Sequence, residues 1–570
     1  MAQLPLLLLS LVNALRHPLV QAIQLQASFV LLVGTAPWPP LAVVCPVKGC
    51  RQHSSANWAS QLAAHYGGPR VFVFVVESAA DPAVAALQDM LSEQQQQQQG
   101  GKQQQQQQDM LSEQQQQGGK QQQQQQDGKQ QQQQQQQQVF TSGLPGCVLH
   151  AAQQGPGQWV LLVDAGLAQS CSQKIHNVLG GIEVALAAMQ QMQQQQQPVL
   201  QGHQQQQQQP DHDQQHHNTL HPSSSSTTTW GSGSLDSSSS NSSSSSSGYV
   251  AVLDDDVALH PLSLCQLVDE MEADPQLFMA TGYPFDLVAA PSSSSGGSSS
   301  TGSSGSDSSS SSWWGRLLAY AAASYHLPLL IGFSVADRGG FVWGGVMMLR
   351  ADELRKAAAE GAAAKQAAGA AGGGLSSKPN ILQVWRQGGY SDDLLLAAFC
   401  TEHGLPIGMP ASAYFPQQLP ATYTAKQYWN YLRRQLYVLD TYATPRNKTL
   451  NHGMMLAHSY GSAVFTAAAA ATSLQLLLLL LLAAAGPALC MQYMVRQVLR
   501  LFRVLSPGAS DEVLRPQLNL ALLWLGWVLE NALLPFCMAY CYFCDRIMWG
   551  GIMYHKAGGR VRRVVHPGQQ

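Results

Sequence analysis

The chain has 570 residues, 11% of them charged, and a formal net charge of −3 from 30 Lys and Arg against 33 Asp and Glu. This balance excludes the basic field that a nucleic-acid partner would require. Composition also excludes a core built from the whole length. Gln dominates 94–138 and 190–209, Ser dominates 223–247 and 292–312, and Ala and Gly dominate 357–374, so these tracts are read as insertions in a smaller folded unit.

Residues 1–40 hold an apolar stretch, "LPLLLLSLVNAL", that ends at Arg16 and is short for a bilayer span, so this part is expected to be a signal-anchor or interfacial segment. "LAVVCPVKG" (41–49) then predicts a buried strand entering a loop, and "SSANWASQLAAHY" a helix. "RVFVFVVES" (70–78) is too continuously apolar for a one-sided sheet and predicts a parallel strand covered on both faces, with Glu77 and Ser78 at its carboxyl end. "QWVLLVDAG" (158–166) and "GYVAVLDDD" (248–256) predict two more strands, separated by the helical "CSQKIHNVLGGIEVALAAM". Strands alternating with helices predict an α/β sheet, whose ligands bind beyond the carboxyl ends of the strands.

That edge is where Asp254, Asp255 and Asp256 fall. Such a triplet is either a solvated acidic turn or a set of hard oxygen ligands for Mg²⁺, Mn²⁺ or Ca²⁺. Lys174 and Asn177, one helical turn apart, reach the same crevice if they meet phosphate oxygens, and otherwise form an ordinary solvated helix face. "PDHDQQHHNTLHP" (210–222) also carries His and Asp, but its polar flanks offer nothing to fix a metal geometry.

Farther on, "GGFVWGGVMMLR" (339–350) and "GGYSDDLLLAAF" (388–399) set glycines beside aromatics, and the second leads Asp392 and Asp393 into a helix. Carboxylates there cap the helix or serve as a catalytic base. The amphipathic "AKQYWNYLRRQLYVLDTY" (425–442) is expected to lie at a bilayer surface within an interfacial segment 425–458. A transmembrane region 459–545 follows, with residues 459–495 free of acidic or basic side chains and a second span at 518–543 interrupted by Glu530, which is expected to face other helices. Basic residues on both sides of this second span, Arg496 to Arg515 and Lys556 to Arg563, both favour the cytosol, so the segment is re-entrant or one cluster is lumenal. The 10 Cys show no disulfide framework, and residues 546–570 read as a basic tail.

Taken in order, "VFVFVVESAADPA", "CSQKIHN", "LDDDVALHP", "TGYPFDL", "FVWGGVMML", "GGYSDDLLLAA" and "YWNYLRRQLYVL", with "DRIMWGGIMYHKAGG" near the end, resemble the ceramide glucosyltransferases, the plant-type enzymes most. The resemblance implies a catalytic domain at 41–424 with a GT-A-like, Rossmann-type mixed sheet and helices on both faces. It implies an inverting transfer of glucose from UDP-glucose to the primary hydroxyl of ceramide, on a Golgi or endoplasmic reticulum membrane with the site facing the cytosol. Glu77 and Ser78 match the first acidic motif, although an Asp stands at the Ser78 position in animal members. Asp254 and Asp256 match the motif that holds Mg²⁺ or Mn²⁺ and the diphosphate, Asp393 matches the proposed base, and Asp392, Lys174, Asn177 and Trp343 accompany these motifs. The last motif is commonly Gln-x-x-Arg-Trp; here Asn430, Arg433 and Arg434 stand instead, so only Arg433 matches and it is expected to meet the leaving diphosphate. Alternatives are another membrane glycosyltransferase, either a processive polysaccharide synthase or one with a different lipid acceptor, and an inactive membrane scaffold.

Overall fold

The computed structural model describes residues 38–51, 53–94, 96, 140–155, 157–207, 248–289, 313–327, 338–370, 380–410, 412–472, 474–506 and 519–568. The expectations for residues 1–37 and for most of the polar tracts lie outside these. The chain is a mixed α/β protein centred on an eight-stranded sheet with the order β3-β4-β2-β1-β5-β8-β6-β9. Its middle is parallel: β1 (Leu41–Pro46) pairs with β2 (Arg70–Val76) and with β5 (Tyr249–Leu253), and β2 pairs with β4 (Gln158–Asp164). β3 (Cys147–Gly155) and β8 (Val346–Arg350) run antiparallel to their neighbours, and β6 (Met279–Thr281) with β9 (Ile407–Gly408) completes the sheet.

Alternate side chains explain why β1 and β2 are apolar throughout. Ala42, Val44, Val71, Val73 and Val75 enter one core layer, while Leu41, Val43, Phe72, Phe74 and Val76 enter the other. Each fully buried residue of this kind contributes on the order of 2 kcal/mol. The chain runs outward from β1 through β2 to β4 and then returns to the other side of β1 as β5, which opens a crevice at the carboxyl ends of β1 and β5.

The helices up to His403 are α1 (Ser54–Ala63), α2 (82–94), α3 (Gln173–Gln207), α4 (Ser263–Ala273), α5 (Trp313–Ser324), which packs on the later helix Leu520–Tyr542 and on the two-stranded sheet described below, α6 (Ala351–Ala370), α7 (Ile381–Arg386) and α8 (Asp392–His403). Two low-complexity tracts therefore begin as helix rather than as solvated insertion. Met192 on α3 and Ala357 on α6 are buried in the core, so the boundaries at 190 and 357 fall inside folded elements. A two-stranded sheet of β7 (Tyr283–Val288) and β10 (Tyr414–Leu419) stands beside the crevice.

Beyond it, α9 (Ala425–Leu439) opens with Thr424 and Gln427 in a reciprocal capping box. α10 (Pro445–Thr472), α11 (Leu474–Leu505) and α12 (Leu520–Tyr542) follow. Among the described residues, α12 alone is long and apolar enough to cross a membrane. The expected first span, 459–495, lies in α10 and α11, and most of its side chains fall outside the described residues. Glu530 does face a neighbouring helix: it is buried and accepts from Ser324 Oγ on α5 at 3.1 Å.

The last segment is folded, contrary to the reading as a basic tail. β11 (Arg546–Trp549), β12 (Ile552–Ala557) and β13 (Arg560–Val565) form an antiparallel sheet docked on the α/β unit. Tyr554 Oη accepts from Gln173 N at 3.2 Å, and Val561 N donates to Gly388 O at 2.9 Å.

Candidate active site

The crevice holds a cavity of about 550 Å³ at the carboxyl ends of β1 and β5. The Asp254 N–H donates to Gly345 O at 3.0 Å, which ties the acidic turn after β5 to the glycine pair before β8. A Cβ on Gly344 would lie 3.0 Å from Lys174 Nζ and 3.2 Å from carboxylate oxygens of both Asp392 and Asp393. A methyl there would press on all three charged groups, each of which would have to give by a fraction of an ångström.

Lys174, from the first turn of α3, is the cation shared by Asp254 and Asp392. Its Nζ lies 2.7 Å from Asp254 Oδ1 and 3.0 Å from Asp392 Oδ2, and it donates to Gly344 O at 3.2 Å. Burial pulls its pKa down, but Asp254, Asp392 and Asp393 outweigh burial and hold the ammonium above its ordinary value. Burial pushes Asp254 up to about 7 against the pull of Lys174, with Asp256 and Asp392 adding to the rise. Asp255 is likewise pushed up to about 7 by burial and by Asp256. Burial is the larger cause of both rises, and the neighbouring carboxylates add to it.

Asp393 lies in the first turn of α8 and is held from both sides. Its Oδ2 accepts from Gly344 N at 3.1 Å; its Oδ1 accepts from Leu394 N at 2.7 Å and from the hydroxyl of Ser391. Ser391 itself caps the helix. The capping role and the cavity position coexist, because a carboxylate fixed at a helix start still presents its outer face to the cavity.

Sequence-predicted residues divide into two groups. Asp254, Asp256, Lys174, Trp343, Asp392, Asp393 and Arg434 are brought together around the cavity. Glu77, Ser78, Asn177 and Arg433 are not. Glu77 pairs with Lys48 at 2.5 Å, and the Ser78 carbonyl accepts from Asp81 N at 3.1 Å. Asn177 is buried, accepting from Gln173 Nε2 at 2.8 Å and donating to Val75 O at 3.3 Å, so its amide fastens α3 to β2 and cannot serve phosphate. Arg433, expected at the diphosphate, turns the other way. It donates to Arg546 O at 2.9 Å and lies 4.9 Å over the Tyr540 ring, whereas its neighbour Arg434 faces the cavity.

Three cavity features were not singled out from the sequence. Arg51, after β1, pairs with Asp256 Oδ2 at 3.2 Å. Asp286 on β7 holds His326 Nδ1 at 2.7 Å, with its other oxygen buried and without a hydrogen-bond partner. Trp549 enters from the C-terminal sheet and stacks under Arg434, whose Cζ is 4.3 Å from the ring centre. Asp286 and Trp549 lie within quoted motifs, but no local spacing reveals that they converge.

Among the described residues, no group of three or more His, Cys, Asp or Glu converges as metal ligands. The donor set nevertheless fits Mg²⁺ or Mn²⁺ of the kind that a diphosphate completes: Asp256 Oδ1 is buried without a partner, and burial and mutual repulsion push Asp254 and Asp255 up.

In comparisons with known proteins, no family model matches the chain and no curated protein matches it significantly.

Proposed function

We propose that this cavity transfers a sugar from a nucleotide diphosphate to a membrane lipid, in a GT-A-like fold, and that the reaction is the transfer of glucose from UDP-glucose to the primary hydroxyl of ceramide. The reading rests on the motif resemblance, and one observation carries it: Asp254 and Asp256 of the acidic turn and the carboxylate Asp393 line one cavity, with Lys174 bridging Asp254 to Asp392 beside them.

Asp254 and Asp256 would hold Mg²⁺ or Mn²⁺, which when bound supplies charge neutralisation to the departing diphosphate. Arg51 stands on the Asp256 side of the cavity and Arg434 supplies a second cation. Lys174 holds Asp254 and Asp392 in place. Asp393 accepts the proton of the lipid hydroxyl while the hydroxyl oxygen bonds to the anomeric carbon, the bond from that carbon to the diphosphate breaks, and UDP leaves with the electron pair. Attack from the face opposite the leaving group inverts the configuration, and no covalent enzyme intermediate forms.

The apolar surface beside the site suits a membrane-held acceptor. Trp313, Phe536, Tyr542 and Phe543 are exposed on α5 and at the end of α12, and aromatic side chains of this kind favour the headgroup layer. A cytosolic face of the Golgi or endoplasmic reticulum is the corresponding location. Calorimetric titration with UDP tests the nucleotide half of the reading: binding should require Mg²⁺ or Mn²⁺ and be lost in the D254N/D256N variant. Cation-independent UDP affinity, equal in both proteins, would refute it.

A further inference from the structure

We infer that Trp549 is a positioning residue: its ring holds the Arg434 guanidinium in the transfer cavity, which makes the C-terminal sheet a working part of the site. The inference rests on the proposed nucleotide-sugar reading and extends it to a segment whose charge had suggested a solvated tail.

Arg434 is the cation that α9 turns into the cavity, and its Cζ lies 4.3 Å from the Trp549 ring centre. A guanidinium over an indole face is attracted to the ring quadrupole. The Trp also replaces the freedom of a long side chain with one orientation, which matters where a cation must meet a leaving group. Arg433 cannot substitute, since Arg546 O and Cys544 Sγ hold it outside the cavity.

The position of Trp549 is itself fixed. It is the last residue of β11, opposite Ile552, and the two residues between them are Gly550 and Gly551, with φ of 56° and 79°. Positive φ at both central residues is the two-residue hairpin turn that matches strand twist, and glycine adopts it without strain. A Cβ on Gly550 would lie 3.0 Å from Lys48 Cδ, so the turn is seated on the side chain that Glu77 grips. On its other side, Tyr390 meets the Trp549 ring edge-on at 6.3 Å. Farther along the sheet, Lys556 pairs with Asp440 just after α9 and lies 4.2 Å over the Tyr437 ring. With Asn430 Nδ2 donating to Met548 O at 3.3 Å, the sheet and α9 are tied together on both sides of Arg434 along the helix.

UDP is the probe, titrated with Mn²⁺ present into the full-length chain in detergent. W549A should weaken UDP binding about tenfold, the loss expected of a desolvated cation–aromatic contact, while W549F, which keeps a ring face, restores most of it. M548A, on the outer face of the same strand, should bind as wild type does. The R434A/W549A double variant should bind no more weakly than R434A, because the Trp acts through the Arg. UDP affinity unchanged in W549A, no rescue by W549F, or additive losses in the double variant would overturn the inference while leaving the proposed function intact. A wild-type chain that binds no UDP would sink both.

Discussion

Gly344 donates its backbone N–H to Asp393 Oδ2 at 3.1 Å, so the proposed base is aimed by the very residue whose missing side chain makes room for it. Gly344→Ala would push a methyl against Lys174, Asp392 and Asp393 together. Displacement of reacting groups by fractions of an ångström lowers turnover steeply, and we expect transfer to fall by about tenfold or more. The thermal midpoint should move by only a few degrees, since one methyl at a cavity wall costs about 1 kcal/mol. A G344A chain with wild-type turnover would show that the spacing is not critical.

Lys174 has a different signature. Its ammonium is shared by Asp254 and by the buried Asp392, at 2.7 and 3.0 Å. Removing it in K174M leaves two carboxylates facing each other without a cation, which should cost about 3 kcal/mol of stability as well as activity. Adding Asp392→Asn removes one of the stranded charges and should restore part of the stability without restoring transfer. Chemical denaturation of K174M and K174M/D392N checks this; equal stability of K174M and wild type would contradict the shared role.

His260 sets a pH limit. Its Nε2 lies 2.8 Å from Tyr414 O and its Nδ1 2.7 Å from Ser506 Oγ, and burial holds its pKa down to about 4 from an ordinary 6.5. Between those values the unfolded chain binds a proton that the folded chain does not, so stability declines as pH falls through that window. The loss should approach about 3 kcal/mol near pH 4. Thermal midpoints recorded from pH 7 to pH 4.5 should fall less steeply in His260→Gln; parallel curves would remove His260 as the cause.

Much of the sheet was legible because its physics is local. Continuous apolar runs at 70–76 and 249–253 require cover on both faces, and the structure places both inside the sheet, the first between two parallel neighbours and the second parallel to β1 and antiparallel to β8. The edge strand Cys147–Gly155 was not legible, since its half-buried "CVLHAAQQG" lacks such a run. In "RVRRVV" the buried Val561 and Val565 flank the exposed Arg562 and Arg563, yet net charge made it read as a tail. The site divided in the same way. Acidic motifs at strand and helix ends were visible, but helix phase decided the rest: α9 turns Arg434 inward and Arg433 outward, and adjacent residues on a helix lie about 100° apart. The Asp286–His326 and Arg434–Trp549 pairs join distant segments, so no local pattern marks them.

The most direct test supplies labelled UDP-glucose, Mn²⁺ and ceramide to the purified full-length chain in lipid nanodiscs and identifies the products by mass spectrometry. One glucose per ceramide is predicted, with the anomeric configuration inverted from that of the donor. Asp393→Asn should bind UDP as wild type does yet yield no product, because the amide keeps the shape of the carboxylate and lacks its basicity. A ladder of increasing chain length, lipid-free oligosaccharide, or full turnover by D393N would contradict the assignment.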